Sequence, residues 1–209
     1  MASNVQIAGG MLRLTAQQED SAWARFTTGA VETRDKAVWS AAAAGPWRMC
    51  IFAQLPGGAG GTGAGFWPGF RLRPNDNSCQ LDHGEMSVME QLDGSDTIIT
   101  EYRAAPAGSP ACSNATSSEG ASISQELASW YNEYSVEVGT DGSFAFLVNN
   151  DLVYESSGAL PTYALPWFLS LAFAIGGSRP QPPNASTVFP AIVNVDWVQV
   201  VAKGTAAGV

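Results

Sequence analysis

Two glutamates five positions apart, Glu85 and Glu90 in Gly84-Glu85-Met86-Ser87-Val88-Met89-Glu90, are the residues of this sequence best suited to chemistry. Paired carboxyl groups ~5 to 5.5 Å apart can cleave a glycosidic bond with retention, one attacking the sugar carbon while the other protonates the leaving oxygen. On a regular strand Glu85 and Ser87 share a face, and Glu90 points the opposite way. One extra residue near Met89, inserted as a β-bulge, would bring Glu90 back to the face of Glu85 and line one cleft with both carboxylates. Without the bulge, the same residues are two exposed glutamates on an edge strand.

Other chemistries find less support. Three cysteines, Cys50, Cys79 and Cys112, and a single histidine, His83, are too few and too widely spaced for a zinc site. Cys79 and Cys112 lie in polar loops and could form one disulfide, whereas Cys50 sits in an apolar run and reads as core. The glycine-rich stretch 57–65 has no Gly-Lys-Ser/Thr and reads as a flexible loop at a cleft edge rather than a phosphate loop.

The elements that would hold the two glutamates are strands. The chain of 209 residues carries 22 glycines and 12 prolines but only 14% charged residues, against ~25% in an average soluble domain. Many turn formers with few charges imply short strands. A hydrophobic fraction of 45% with seven tryptophans predicts a sizeable core in one domain over 1–209. Net charge −9 repels a phosphate backbone and argues against nucleic acid as a partner. The uncharged stretch 156–178 is broken by Pro161, Pro166 and three glycines, so it predicts a buried strand with turns and no membrane span.

Period-two alternation predicts strands over 10–16, 28–33, 47–54, 66–72, 85–90, 97–103, 165–175 and 191–201, and a hairpin pairing 134–138 with 144–148. The polar segment 104–124 reads as a long surface loop, with one helical turn over 124–129. Such a pattern indicates an all-β sandwich of two antiparallel sheets.

Several motifs in order along the chain carry a family resemblance. Gly84-Glu85 with Met89-Glu90 resembles the Glu-x-Asp-x-x-Glu signature of glycoside hydrolase family 16, in the bulged form of its laminarinase-like β-1,3-glucanase branch. Thr28-Gly29-Ala30-Val31-Glu32-Thr33 resembles the family's Ser-Gly-Arg-Val-x-Thr strand, and Gly65-Phe66-Trp67-Pro68-Gly69-Phe70 its Gly-Leu-Trp-Pro-Ala-Phe strand. Downstream, Ala174-Ile175-Gly176-Gly177 and Val195-Asp196-Trp197-Val198 are similar to its late elements. The match begins at Asn4, in what looks like the family's second block, so the first strand and any export signal fall outside it, as in a trimmed chain.

The resemblance implies a jelly roll of the concanavalin A-like lectin and glucanase type. It implies Glu85 as nucleophile and Glu90 as general acid/base in retaining endo-hydrolysis of a β-glucan, β-1,3 or mixed β-1,3/1,4, with no cofactor required. Ser87 stands where the family has an Asp that hydrogen-bonds the nucleophile, so the tuning that keeps one carboxyl protonated is weakened. That departure keeps open two alternatives on the same fold, a catalytically weakened, lectin-like polysaccharide-binding protein and a transglycosylase. Trp67 is placed to stack on a sugar ring. Arg71 occupies the position of a second Trp, and Tyr102 that of a cleft His. Arg71, Arg73 and Arg103 together would favour an anionic sugar, unless they are scattered surface arginines. Asp196 matches a position that contributes to a structural calcium site, although one carboxylate is far from the ~6 to 8 oxygen ligands calcium takes. A polysaccharide partner, a monomeric state and an extracellular location complete the expectation.

Overall fold

Alternating β-branched and aromatic side chains bury one face of each strand and leave the other for neighbours or water. The computed structural model describes residues 4–19, 25–76, 79, 82–106, 108–112, 117–124, 126, 128, 130–156, 158, 160 and 164–203. Their elements run β1 (Val5–Ala8), β2 (Met11–Gln18), β3 (Phe26–Thr27), β4 (Ala30–Glu32), α1 (Ala41–Ala44), β5 (Trp47–Gln54), β6 (Phe66–Pro74) and β7 (Glu85–Gln91). There follow β8 (Thr97–Ala104), β9 (Ser117–Ser124), β10 (Asn132–Val138), β11 (Phe144–Val148), β12 (Asp151–Glu155), β13 (Trp167–Ile175) and β14 (Ala191–Ala202).

The strands form two antiparallel sheets. An eight-stranded sheet has the order β1-β2-β14-β5-β10-β11-β12, with β3 paired to β2, and a six-stranded sheet has the order β4-β13-β6-β7-β8-β9. Between them lies one apolar core, with Met49, Ile51, Val136 and Phe146 meeting Phe70, Leu72, Met86 and Met89. Phe70 and Tyr134 touch edge to face at 6.0 Å across the layers. Each such side chain, fully removed from water, contributes ~1.5–3 kcal/mol. The all-β sandwich read from the alternation is the observed architecture. Among the described residues no helix is long and apolar enough to cross a membrane.

One expectation is corrected. β9 runs through the polar segment read as a surface loop, pairing with β8 from Thr97↔Ser124 to Ala104↔Ser117. It is an edge strand of Ser, Ala and Gly, held by the backbone of β8 rather than by a buried face, so it carries no hydrophobic period. The end of the 57–65 loop is anchored, since Asp93 Oδ1 accepts from the Gly65 N–H at 2.8 Å and also from the Gln181 N–H at 3.0 Å. Of the helical turn expected over 124–129, residues 125, 127 and 129 lie outside the described residues, and Ser124 itself ends β9.

Cys79 and Cys112 form a disulfide. It ties the β6–β7 connection to the β8–β9 connection, at the end of the sheet where β7 begins. Cys50 is buried, but its strand parity sets it with Arg48 and Phe52 on the outward side of β5.

Candidate active site

The central strand of the site is β7, every residue of which is buried. Met86, Val88 and Met89 join the core, while Glu85, Ser87 and Glu90 occupy the outward face of the six-stranded sheet. A bulge makes this division possible. Against β6, Phe70 pairs with Met89 and Arg71 with Ser87, leaving Val88 without a partner of its own. Against β8, Ser87 pairs with Glu101 and Glu90 with Ile99, so two residues of β7 oppose one of β8. The insertion turns two consecutive side chains inward and returns Glu90 to the face of Glu85.

The two carboxylates are close. Arg103 Nη2 lies 2.7 Å from Glu85 Oε1 and 3.5 Å from Glu90 Oε1, so these oxygens are no farther apart than those two distances laid end to end. That bound, about 6 Å, admits the ~5 to 5.5 Å separation of retaining glycosidases.

Glu90 is saturated with donors. Its Oε1 accepts from Arg71 Nε at 2.9 Å and Ser87 Oγ at 2.9 Å, and its Oε2 from Arg179 Nη1 at 2.8 Å and Trp67 Nε1 at 3.3 Å. Burial pushes the Glu90 carboxyl up, but the Arg71 and Arg179 charges, the Arg71 hydrogen bond and the Arg103 charge outweigh it and hold the group below its ordinary value. Glu90 is therefore a carboxylate at neutral pH. Ser87 reinforces that state, since a hydroxyl donating to an ionised carboxylate stabilises the charge. Glu85 is held by Arg73 Nε at 2.5 Å and Arg103 Nη2 at 2.7 Å.

Arg71 owes its position to a glycine. A Cβ on Gly69 would lie 2.4 Å from the Arg71 Nη1, so the missing side chain is the space through which the guanidinium reaches Glu90. The same guanidinium stands 5.2 Å from the Trp67 ring centroid, a cation–π contact. Trp67, half-buried on the outward face, thus touches both Arg71 and Glu90.

Tyr102 is not in the cleft. It pairs with Met86, joins the core and leans on Phe144 at 5.7 Å, and its hydroxyl lies 2.4 Å from where a Cβ on Gly84 would stand. Gly84 has φ +89, which with the crowding makes any side chain there doubly unfavourable. Consecutive strand residues face opposite ways, so Glu101 and Arg103 take the outward side that Tyr102 cannot reach. Glu101 binds Arg179, and Arg103 Nε lies 3.1 Å from the same carboxylate without a hydrogen-bond geometry.

Arg179 and Glu101 were not legible as site residues. Strand parity with Arg103 marks Glu101, but Arg179 follows β13 in an irregular segment where no period applies. Asp196 is exposed at the register shift of β14. Among the described residues no gathering of three His, Cys, Asp or Glu side chains includes it. Beside Glu101, a concavity of about 400 Å³ opens between β8 and β9, lined by Ile99, Ser118 and Ser122.

Neither a family model nor a curated protein matches this sequence. Solved structures do match in fold. The laminarinase catalytic domain of Thermotoga maritima shares 21% identity at a TM-score of 0.78, over 98% of this chain and 82% of its own. The endo-β-1,3-glucanase of Pyrococcus furiosus shares 20% at 0.78, over 96% of this chain and 78% of its own. A non-specific endo-β-1,3(4)-glucanase of family GH16 shares 20% at 0.77, over 96% of this chain and 77% of its own. At such identity the likeness establishes a shared jelly-roll fold.

Proposed function

We propose that this protein is a retaining endo-glycoside hydrolase acting on a β-glucan, linked β-1,3 or mixed β-1,3/1,4, outside the cell, where such polymers occur. The observation that carries the reading is the bulge of β7, which sets Glu85 and Glu90 on one outward face with oxygens within about 6 Å, as double displacement requires. The fold shared with laminarinases supports it. Glu85 would attack the anomeric carbon while Glu90 donates its proton to the leaving oxygen; Glu90 would then take a proton from the water that releases the glycosyl-enzyme. A second sugar in place of that water gives transglycosylation. Trp67 would stack on a sugar ring beside the scissile bond.

One observation favours a second reading, a polysaccharide-binding protein with little turnover. A general acid must carry a proton, and Arg71, Arg179 and Ser87 hold Glu90 in its ionised form. The two readings separate on new reducing ends from laminarin and mixed-linkage glucan, measured with Glu85→Gln and Glu90→Gln as controls. Release that both substitutions abolish by about a thousandfold or more supports the hydrolase. Retention on the polymer without release supports the binder.

A further inference from the structure

The outward face of β6, β7 and β8 holds an imbalance of charge. Among the described residues, four guanidiniums, Arg71, Arg73, Arg103 and Arg179, surround three carboxylates, Glu85, Glu90 and Glu101. The surplus cation sits in a chain whose net charge is −9. Excess positive charge on a largely buried face is costly, because low-dielectric surroundings magnify the repulsion among like charges. One added anion makes four against four.

We propose that the ligand is an acidic polysaccharide, and that a sulfate or carboxylate substituent on it takes Arg179 from Glu90 and Glu101. The inference rests on the reading of this face as a sugar site and adds the charge of the sugar. Arg179 is the exchangeable member. It comes from an irregular segment, its side chain keeps 24% of its surface exposed, and one nitrogen bridges both carboxylates. Arg71 is fixed by contrast, extended over Gly69, beside Trp67, with 8% exposure. Sulfate and carboxylate both accept paired guanidinium hydrogen bonds, and Arg103 Nε is a buried donor that makes no hydrogen bond, although Glu101 Oε1 lies 3.1 Å away. Loss of Arg179 removes one of the cations that keep Glu90 ionised, so the substituent that anchors the chain also readies Glu90 to take a proton from solvent. Arg71, Arg103, Arg73, Glu85, Glu101, Ser87 and Trp67 are the other charged and polar groups facing it.

The test compares matched polymers by affinity gel electrophoresis. A β-1,3-glucan, a mixed-linkage β-glucan and a β-galactan are each used neutral, sulfated and carboxymethylated, with wild-type protein, Arg179→Gln and Arg73→Gln. On at least one backbone a charged form should retain the wild type more strongly than the neutral form does. In Arg179→Gln the ratio of charged-form to neutral-form retention should fall about fivefold, the worth of one ion pair near a surface. Preference for the sulfated form identifies sulfate as the anion, and preference for the carboxymethylated form identifies carboxylate. A chain of net charge −9 has no general attraction for polyanions, so the preference must be local. Equal or weaker retention by the charged forms on every backbone, or a preference that Arg179→Gln leaves intact whatever Arg73→Gln does, overturns the proposal. Retention is read without turnover, so charge-dependent binding with no new reducing ends would sink the hydrolase and leave this inference standing.

Discussion

The molecule carries two arginine–glutamate networks, one on the outward face of each sheet. On the eight-stranded sheet Arg48 reaches Glu133 at 2.6 Å and Glu137 at 3.7 Å, and Lys203 pairs with Glu137. Two cations meet two carboxylates, and every side chain keeps 15% or more of its surface in water. On the six-stranded sheet the carboxylates of Glu85 and Glu90 have no exposure, and four cations face three anions. The pair types are alike, yet the first is a solvated ladder that salt can screen, whereas the second is a desolvated cluster whose members depend on one another. Burial and imbalance, rather than the count of ion pairs, mark the face that can do chemistry.

Removing one buried partner should separate the networks most sharply. Arg71→Ala removes the nearest cation of Glu90 while Arg179, Arg103 and Ser87 remain on it, and urea unfolding should show a loss of about 1.5–3 kcal/mol, the usual worth of a hydrogen bond to a charged group. A loss below 1 kcal/mol would make the buried cluster no different from the surface ladder. Gly69→Ala tests the same contact from beneath. The added methyl displaces the guanidinium, and a cost of about 1–3 kcal/mol is expected, typical of overpacking.

Acid should act on the buried network through Glu90. Glu90 has a folded value below its ordinary 4.5, so its contribution to stability is fully present above pH 4.5 and is lost as pH falls through the lower folded value. Thermal unfolding between pH 6 and pH 3 should show that loss in wild type and a shallower one in Arg71→Ala; equal slopes would contradict the assignment of the cause. The smallest effect belongs to the ladder. Arg48→Ala should cost no more than about 1 kcal/mol, and 0.5 M NaCl should reduce the difference further.

Where a strand buries one face, its alternation was readable. β5 spans Trp47–Gln54 as the pattern requires, and the hairpin of β10 and β11 pairs Tyr134 with Val148 across a short turn. The bulge followed from chemistry, since Glu85 and Glu90 can share a face only if the strand is interrupted between them. β9 and β12 escaped because an edge strand is held by its neighbour's backbone, and Ser117–Ser124 shows no apolar period. Assigning both Tyr102 and Arg103 to the cleft conflicts with strand parity, and the structure resolves it in favour of Arg103. Arg179 could not be found from spacing, because its place depends on how the segment after β13 folds back over Glu90.

The central claim, that Glu85 and Glu90 act as a retaining pair, is tested most directly by proton NMR of the anomeric signals during the first minutes of cleavage of the best-bound polymer. The account predicts that the β-anomer of the new reducing end appears first, with the α-anomer following only by mutarotation. The α-anomer appearing first, or no new anomeric signal with a polymer that the protein binds, would contradict it.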